Sequence, residues 1–305
     1  MSPNVEKIHR EQVGLFARLI PRVRKDFRQC VARAKDDEAR RLLDTLEQRI
    51  IDVLEHIQSR VLRGKIHPGL PLRLSIQDAP VSWLRELTGH FQRVGFFATS
   101  GDPFYWEHIF VALSAMLELN LNTVVIQVMG DHPFKLARKQ PKEHRHAIAR
   151  LAIEYFFPLL RYTPLGYNNM KIGEENASEL LLLNHGLPLE VCYIVGGDVH
   201  RIAVSNLAAC RTLLKPRDGT KTPRLIGLLL PRGQERASAE RLRKRYPFIK
   251  LAKRRLQPFP KVRGMELSST MFRTDPEIPI LPNRALDYIR KHGLYRRFGF
   301  HSDGV

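Results

Sequence analysis

The 305-residue chain is short of several things, and each shortage narrows what it can be. It has three cysteines, Cys30, Cys192 and Cys210, far apart in apolar or helical surroundings. That spacing makes neither a metal pattern nor a disulfide framework, so reduced thiols in a cytoplasmic protein are the expectation. No run of about 18 apolar residues without charge occurs, so no membrane span and no membrane partner are expected. Residues 1–10 lack the apolar stretch of a signal peptide. Acidic residues are scarce beside basic ones, 31 against 50, for a net charge of +19. That excess favours polyanionic partners such as nucleotides or nucleic acid. Hydrophobic residues make up 43% of the chain, enough for one large domain or a medium domain with an appendage.

The first 64 residues read as two helices. Leu42, Leu43, Leu46, Ile50, Val53, Leu54, Ile57 and Val61 recur at helical spacing, with charged residues between them. An earlier stretch carries Ile8, Leu15, Phe16, Leu19, Val23, Phe27 and Val31, with Pro21 as an expected break or kink. Gly64 and Pro68 close the second helix. The pair forms a hairpin whose apolar stripe docks on the main domain or on a second subunit, which makes it a candidate homo-oligomer interface. A short helix is expected over 81–90.

From residue 94 the pattern changes. Apolar, β-branched strands at 94–98, 123–129, 191–195 and 225–230 alternate with helical patterns at 106–119, 144–157, 199–214 and 237–246. The expected fold is α/β: a Rossmann-like, doubly wound parallel sheet with an N-terminal α-helical extension over 1–90 and the sheet domain over 91–305. Ligands of such sheets bind at the C-terminal ends of the strands.

Two segments carry phosphate-type chemistry. After the first strand, Thr99, Ser100, Gly101, Asp102, Pro103, Phe104, Tyr105, Trp106, Glu107 and His108 run into a helix whose first turn suits a phosphate. Far downstream, Ser268, Ser269 and Thr270 start another helix, and Arg273 follows one turn on. Small hydroxyl residues cap a helix and donate to phosphate, and an arginine fork grips two phosphate oxygens.

Together these segments resemble the nucleotidylyltransferases, whose first loop reads G-x-F-D-P-x-H-x-G-H and whose late motif reads I-S-S-T-x-x-R. Asp102, Pro103 and His108 match the first; Ser268, Ser269, Thr270 and Arg273 match the second. Three more stretches are similar to the nicotinate/nicotinamide mononucleotide adenylyltransferases. They are His132 to Lys135 with 143–152, then Tyr193 to Asp198, then the closing stretch Ile280 to Tyr295. The resemblance spans roughly 93–297 in the right order. It implies a nucleotidylyltransferase-like Rossmann domain that moves AMP from ATP, with Mg²⁺, to the phosphate of a mononucleotide-type acceptor and releases pyrophosphate. It implies His108 on the α-phosphoryl group, Lys135 on a phosphate, and Gly196 and Asp198 on adenosine. It also implies Ser269, Thr270 and Arg273 on the outer phosphates.

The match is incomplete. The family's first loop histidine is Tyr105 here, its glycine is Glu107 and its loop phenylalanine is Gly101. Residues 201–214 hold no aromatic side chain to stack on a pyridine ring, which leaves Trp106, Tyr162 and Tyr167 as candidates. A second reading keeps the fold and assigns a catalytically weakened ATP- or RNA-binding module. Its support is the basic segment 236–263, a candidate RNA contact with Tyr246, Phe248 and Phe259 among its cations. No metal-ligating set is expected from the protein itself.

Overall fold

A computed structural model describes residues 3–69, 72–78, 92–131, 139–168, 171–185, 187, 189–196, 200–213, 224–230, 236–253 and 256–295. The stretch 81–90, Lys135 and Asp198 lie outside the described residues.

Six strands form one parallel sheet: β1 (Gln92–Thr99), β2 (Thr123–Val128), β3 (Leu160–Thr163), β4 (Leu189–Val195), β5 (Arg224–Leu229) and β6 (Ile249–Leu251). Their spatial order is β3-β2-β1-β4-β5-β6, the doubly wound order of a Rossmann-like α/β fold. The chain builds outward from β1 to β3, then returns to β4 on the other side of β1. In sheets of this order such a reversal sets the ligand crevice at the C-terminal ends of the two strands that flank it, here β1 and β4. Every residue of β2 and of β4 is buried, as strands covered on both faces must be.

One face is covered by α3 (Trp106–Leu119), α4 (Lys142–Ile153), α8 (Ser269–Thr274) and α9 (Asn283–Lys291). The other is covered by α5 (Gly173–Leu183), α6 (His200–Leu213) and α7 (Arg236–Arg245). The strands β3 and β6 and the helix α5 are additional to the sequence expectation. The two strands are four and three residues long, too short for a periodic pattern. In α5 the leucines run consecutively from Leu180 to Leu183, so no stripe shows, and Leu182 points to solvent.

The N-terminal helices α1 (Pro3–Arg33) and α2 (Asp37–Leu62) form the expected hairpin. Asp36 caps α2 by accepting from the Ala39 N–H at 2.7 Å. Pro21 does not break α1, which runs through it. Pro21 and Ala17 are both exposed, so water can serve the carbonyl whose partner is lost, while Phe16, Leu19, Val23 and Phe27 pack the opposite face. The apolar stripe is covered by this chain: α2 lies along α3, and its core is continuous with the sheet's. Phe27 stacks on Trp106 with ring centroids 4.2 Å apart. Thus α3 is buried on both sides, which explains why ten of its fourteen residues are inaccessible. No helix among the described residues is long and apolar enough to cross a membrane.

Candidate functional site

The loop after β1 is held by its own bonds to the protein. Gly101 takes φ +57°, a left-handed conformation that suits glycine, and its N–H donates to Thr99 Oγ1 at 3.2 Å. The turn sends Asp102 inward. Its carboxylate is fully buried, accepting from the Tyr295 hydroxyl at 2.6 Å and from the Gln140 N–H at 3.4 Å. Burial beside that carboxylate pushes the Tyr295 phenol far above its usual range.

His108 sits in the first turn of α3, half-buried, with its ring stacked on Phe104 at 4.9 Å. Its Nδ1 accepts from the Tyr105 backbone N–H at 3.2 Å. A backbone N–H can only donate, so the neutral ring carries its proton on Nε2. That nitrogen lies 3.1 Å from Thr99 Oγ1, at the end of β1. The Tyr105 hydroxyl donates to Glu107 Oε2 at 2.8 Å, and both side chains are buried. Trp106 is fully buried against Phe27, so it is a docking residue of the hairpin rather than an accessible platform.

The second motif reaches the same loop. Ser268 caps α8 by accepting from the Met271 N–H at 3.1 Å. The Ser269 hydroxyl donates to the Pro103 carbonyl at 3.1 Å. Arg273 Nη1 donates to the Asp102 carbonyl at 2.6 Å and lies 3.7 Å from its carboxylate, while Nη2 donates to Thr270 Oγ1 at 2.8 Å. Arg273 and Thr270 are exposed; Thr99, Ser100, His108 and Ser269 are half-buried. The β1–β4 pairing ends at Phe96 and Tyr193, and Gly196 follows directly after β4, the neighbour of β1. The structure therefore brings together Thr99, Ser100, Asp102, Tyr105, His108, Ser268, Ser269, Thr270 and Arg273, with Gly196 just past the end of the neighbouring β4.

Three further groups are given no role by the sequence, although Arg145 and Tyr193 lie within stretches that carry the family resemblance. Arg145 of α4 has no exposed surface and ties the site's walls together. Its donors go to the carbonyls of Gln140 at 2.9 Å, Ser100 at 2.8 Å and Met129 at 2.7 Å, and to Asp131 at 2.8 Å. On the opposite face of the sheet, Gln127 at the end of β2 is fully buried, with neither amide atom hydrogen-bonded among the described residues. On the same face, Tyr193 of β4 donates to Glu174 of α5, and burial pushes the Glu174 carboxyl up. Gly173 allows this approach, since a Cβ there would lie 2.4 Å from both Ala98 Cβ and Tyr193 Oη.

A separate apolar cleft of ≈ 170 Å³ lies between α2, α3 and the chain after β6, lined by Val53, Phe110, Leu117 and Leu256. It touches none of these residues.

No protein-family model matches the sequence. No curated protein matches it either. Solved structures with a similar course include Plasmodium falciparum nicotinic acid mononucleotide adenylyltransferase complexed with NaAD. That alignment has 17% identity and a TM-score of 0.47, and covers 67% of this chain and 97% of that one. The same enzyme complexed with APC aligns at 16% identity and TM-score 0.46, with the same coverage.

Proposed function

We propose that the chain is a nucleotidylyltransferase that transfers AMP from ATP to a mononucleotide-type phosphate, nicotinate or nicotinamide mononucleotide by sequence resemblance, releasing pyrophosphate. One observation carries the reading. Arg273 and Ser269 bond the carbonyls of Asp102 and Pro103, so two phosphate-type motifs far apart in sequence share one loop at the crevice. An oxygen of the acceptor phosphate attacks the α-phosphorus in line, and the bond to pyrophosphate breaks. The protein's part is positioning and electrostatics. His108 offers its Nε2–H to an α-phosphoryl oxygen, exchanging a hydroxyl partner for an anionic and stronger one. Arg273 keeps two bonds to the protein and has donors left for the outer phosphates, beside Ser269 and Thr270. Gly196, with Lys135 and Asp198 as the resemblance implies, serves the adenosine and phosphate ends. Asp102 and Ser268 position the loop and α8. The substrate is the magnesium complex of ATP. Among the described residues no three His, Cys, Asp or Glu side chains could hold a metal, and Asp102 and Glu107 already bond tyrosines.

The Tyr105–Glu107 pair favours a second reading, an ATP-binding module with weak turnover. Tyr105 spends its hydroxyl inside the protein and brings no positive charge. Pyrophosphate release with ATP, Mg²⁺ and a panel of mononucleotides and phosphorylated small molecules separates the two. We expect release that His108→Ala lowers by about 10²-fold or more, the usual effect of losing one transition-state donor. Arg273→Ala should weaken ATP binding by about 1.5–3 kcal/mol, measured by calorimetry. ATP binding without release on any acceptor selects the module, and no ATP binding sinks both.

A further inference from the structure

The basic segment 236–263 does not act as one surface. Arg263 is used internally, pairing with Asp36 at 2.7 Å and with Asp275. Lys261 faces Glu266 at 3.8 Å. Lys250 lies 4.0 Å from Glu190, and Lys253 follows β6. The densest group of cations lies on α7, and α6 supplies the other wall. A cleft of ≈ 340 Å³ runs between the two helices, lined by Arg201, Ser238, Arg241, Leu242, Arg245 and Tyr246. Helix α6 has no acidic residue, and the single one of α7, Glu240, bonds Arg236 at 3.2 Å. Among the described residues no carboxylate lies within 4 Å of Arg201, Arg241, Arg243, Lys244 or Arg245, and all five are exposed.

We propose that this α6–α7 cleft binds single-stranded nucleic acid, a function separate from nucleotidyl transfer at the strand ends. Ser238, Arg241 and Arg245 recur at spacings of three and four, so their side chains line one edge of the cleft, a turn of about 5.4 Å apart. Arg201 faces them from α6. A row of guanidinium groups fits a repeating anion better than a single phosphate. Aromatic groups stand at its end: Tyr246 and Phe248 are half-buried with centroids 5.7 Å apart, under Arg245 at 5.4 Å and Arg211 at 4.3 Å. Rings and guanidinium planes beside a basic groove are the elements of sequence-tolerant strand binding. A membrane surface fits less well. A helix lying in a bilayer interface needs a broad apolar face, and Leu242 is the one large aliphatic residue of α7.

Fluorescence anisotropy of labelled oligouridylate and oligothymidylate with the full chain tests this, with RNA and DNA as two sources of the same chemistry. Each phosphate neutralised on a single strand contributes about −0.7 to the slope of log K against log salt. The triple variant Arg201→Ala, Arg241→Ala, Arg245→Ala should lose roughly two units of that slope and at least about tenfold in affinity. The charge-matched triple Arg18→Ala, Arg28→Ala, Arg41→Ala, at exposed positions on the hairpin, should lose little. Tyr246→Leu should weaken binding at least about fivefold while leaving the salt slope in place. His108→Ala should bind as wild type, which separates this outcome from that of the transfer assay. Equal losses in both triples, no binding of either strand at low salt, or tighter binding to phosphatidylserine vesicles would overturn the proposal.

Discussion

Arg145 is the residue whose sequence position and structural role disagree most instructively. It lies on the same helical stripe as Ile148, Ala149 and Ala152, which are all buried in the core. A cation on an apolar stripe is expensive unless every donor finds a partner. Here the partners are the carbonyls of Ser100, Met129 and Gln140, three ends of chain that bound the crevice. Arg145 is thus a positioning residue for the loop that carries His108. Arg145→Ala leaves those carbonyls and the Asp131 carboxylate without it, and should cost about 3–5 kcal/mol of stability in denaturant titration. Arg145→Lys keeps the charge but not the fork, and should restore part of the stability while leaving the loop loose. If Arg145→Lys matches wild type in both melting and ATP affinity, the fork has no positioning role. Phosphate-type residues at two helix starts, taken with the family resemblance they carry, nominate Thr99, His108, Ser269 and Arg273 from sequence. Gln127 and the Glu174–Tyr193 pair lie in no phosphate-type motif, and a helix carboxyl meeting a strand phenol exists only in the fold, so sequence alone assigns them no role.

At the scale of elements, the hairpin and α3 make one packing unit. Phe27 and Trp106 stack at its centre, and Asp26 joins α1 to the start of α9 and to Tyr155. Its carboxylate accepts from the Asn283 N–H at 2.9 Å and from the Tyr155 hydroxyl at 2.8 Å. Removing the Phe27 ring opens a cavity in a layer that cannot collapse, since Trp106 is also held by Phe156 from behind. Phe27→Ala should therefore destabilise by about 3–5 kcal/mol. A loss below about 1 kcal/mol in urea would show that the hairpin is only loosely attached. The sequence made α3 legible to both its ends, Trp106 and Leu119, because Asn120 closes it with φ +53° and the strand follows at once. It placed α4 over 144–157, whereas the helix ends at Ile153. The apolar residues after Ile153 belong to a 3₁₀ turn and the chain leading into β3, and periodicity does not distinguish those from one more helical turn.

For the molecule as a whole, the shared core predicts one cooperative unfolding transition whose stability depends on pH through a buried imidazole. His146 is 3% exposed, with Nδ1 2.6 Å from the Tyr162 hydroxyl and its ring edge-on to Tyr167 at 4.8 Å. Burial, then the charges of Arg145 and Lys142, depress its pKa from 6.5 to about 4, with Asp131 opposing weakly. Below pH 6.5 the unfolded chain binds a proton here that the folded chain refuses until about pH 4. Protons bound in excess by the unfolded state make stability rise with pH. The contribution is therefore fully present above pH 6.5 and is lost progressively as pH falls towards about 4. Carboxylates held low by hydrogen bonds act in a lower window: Asp36, lowered chiefly by the Ala39 N–H and then by Arg263, loses its contribution as pH falls below 3.8. His146→Gln keeps a neutral hydrogen-bonding side chain at every pH. It should flatten the dependence between about pH 6.5 and 4, whatever its absolute effect on stability. The measurement is denaturant unfolding across that range, followed by circular dichroism and by the fluorescence of Trp106 in a Trp83→Phe background. Coincident transitions support one unit spanning hairpin and sheet, whereas two separated transitions would mean that the hairpin unfolds on its own. An unchanged pH slope in His146→Gln would assign the acid sensitivity to the carboxylates instead.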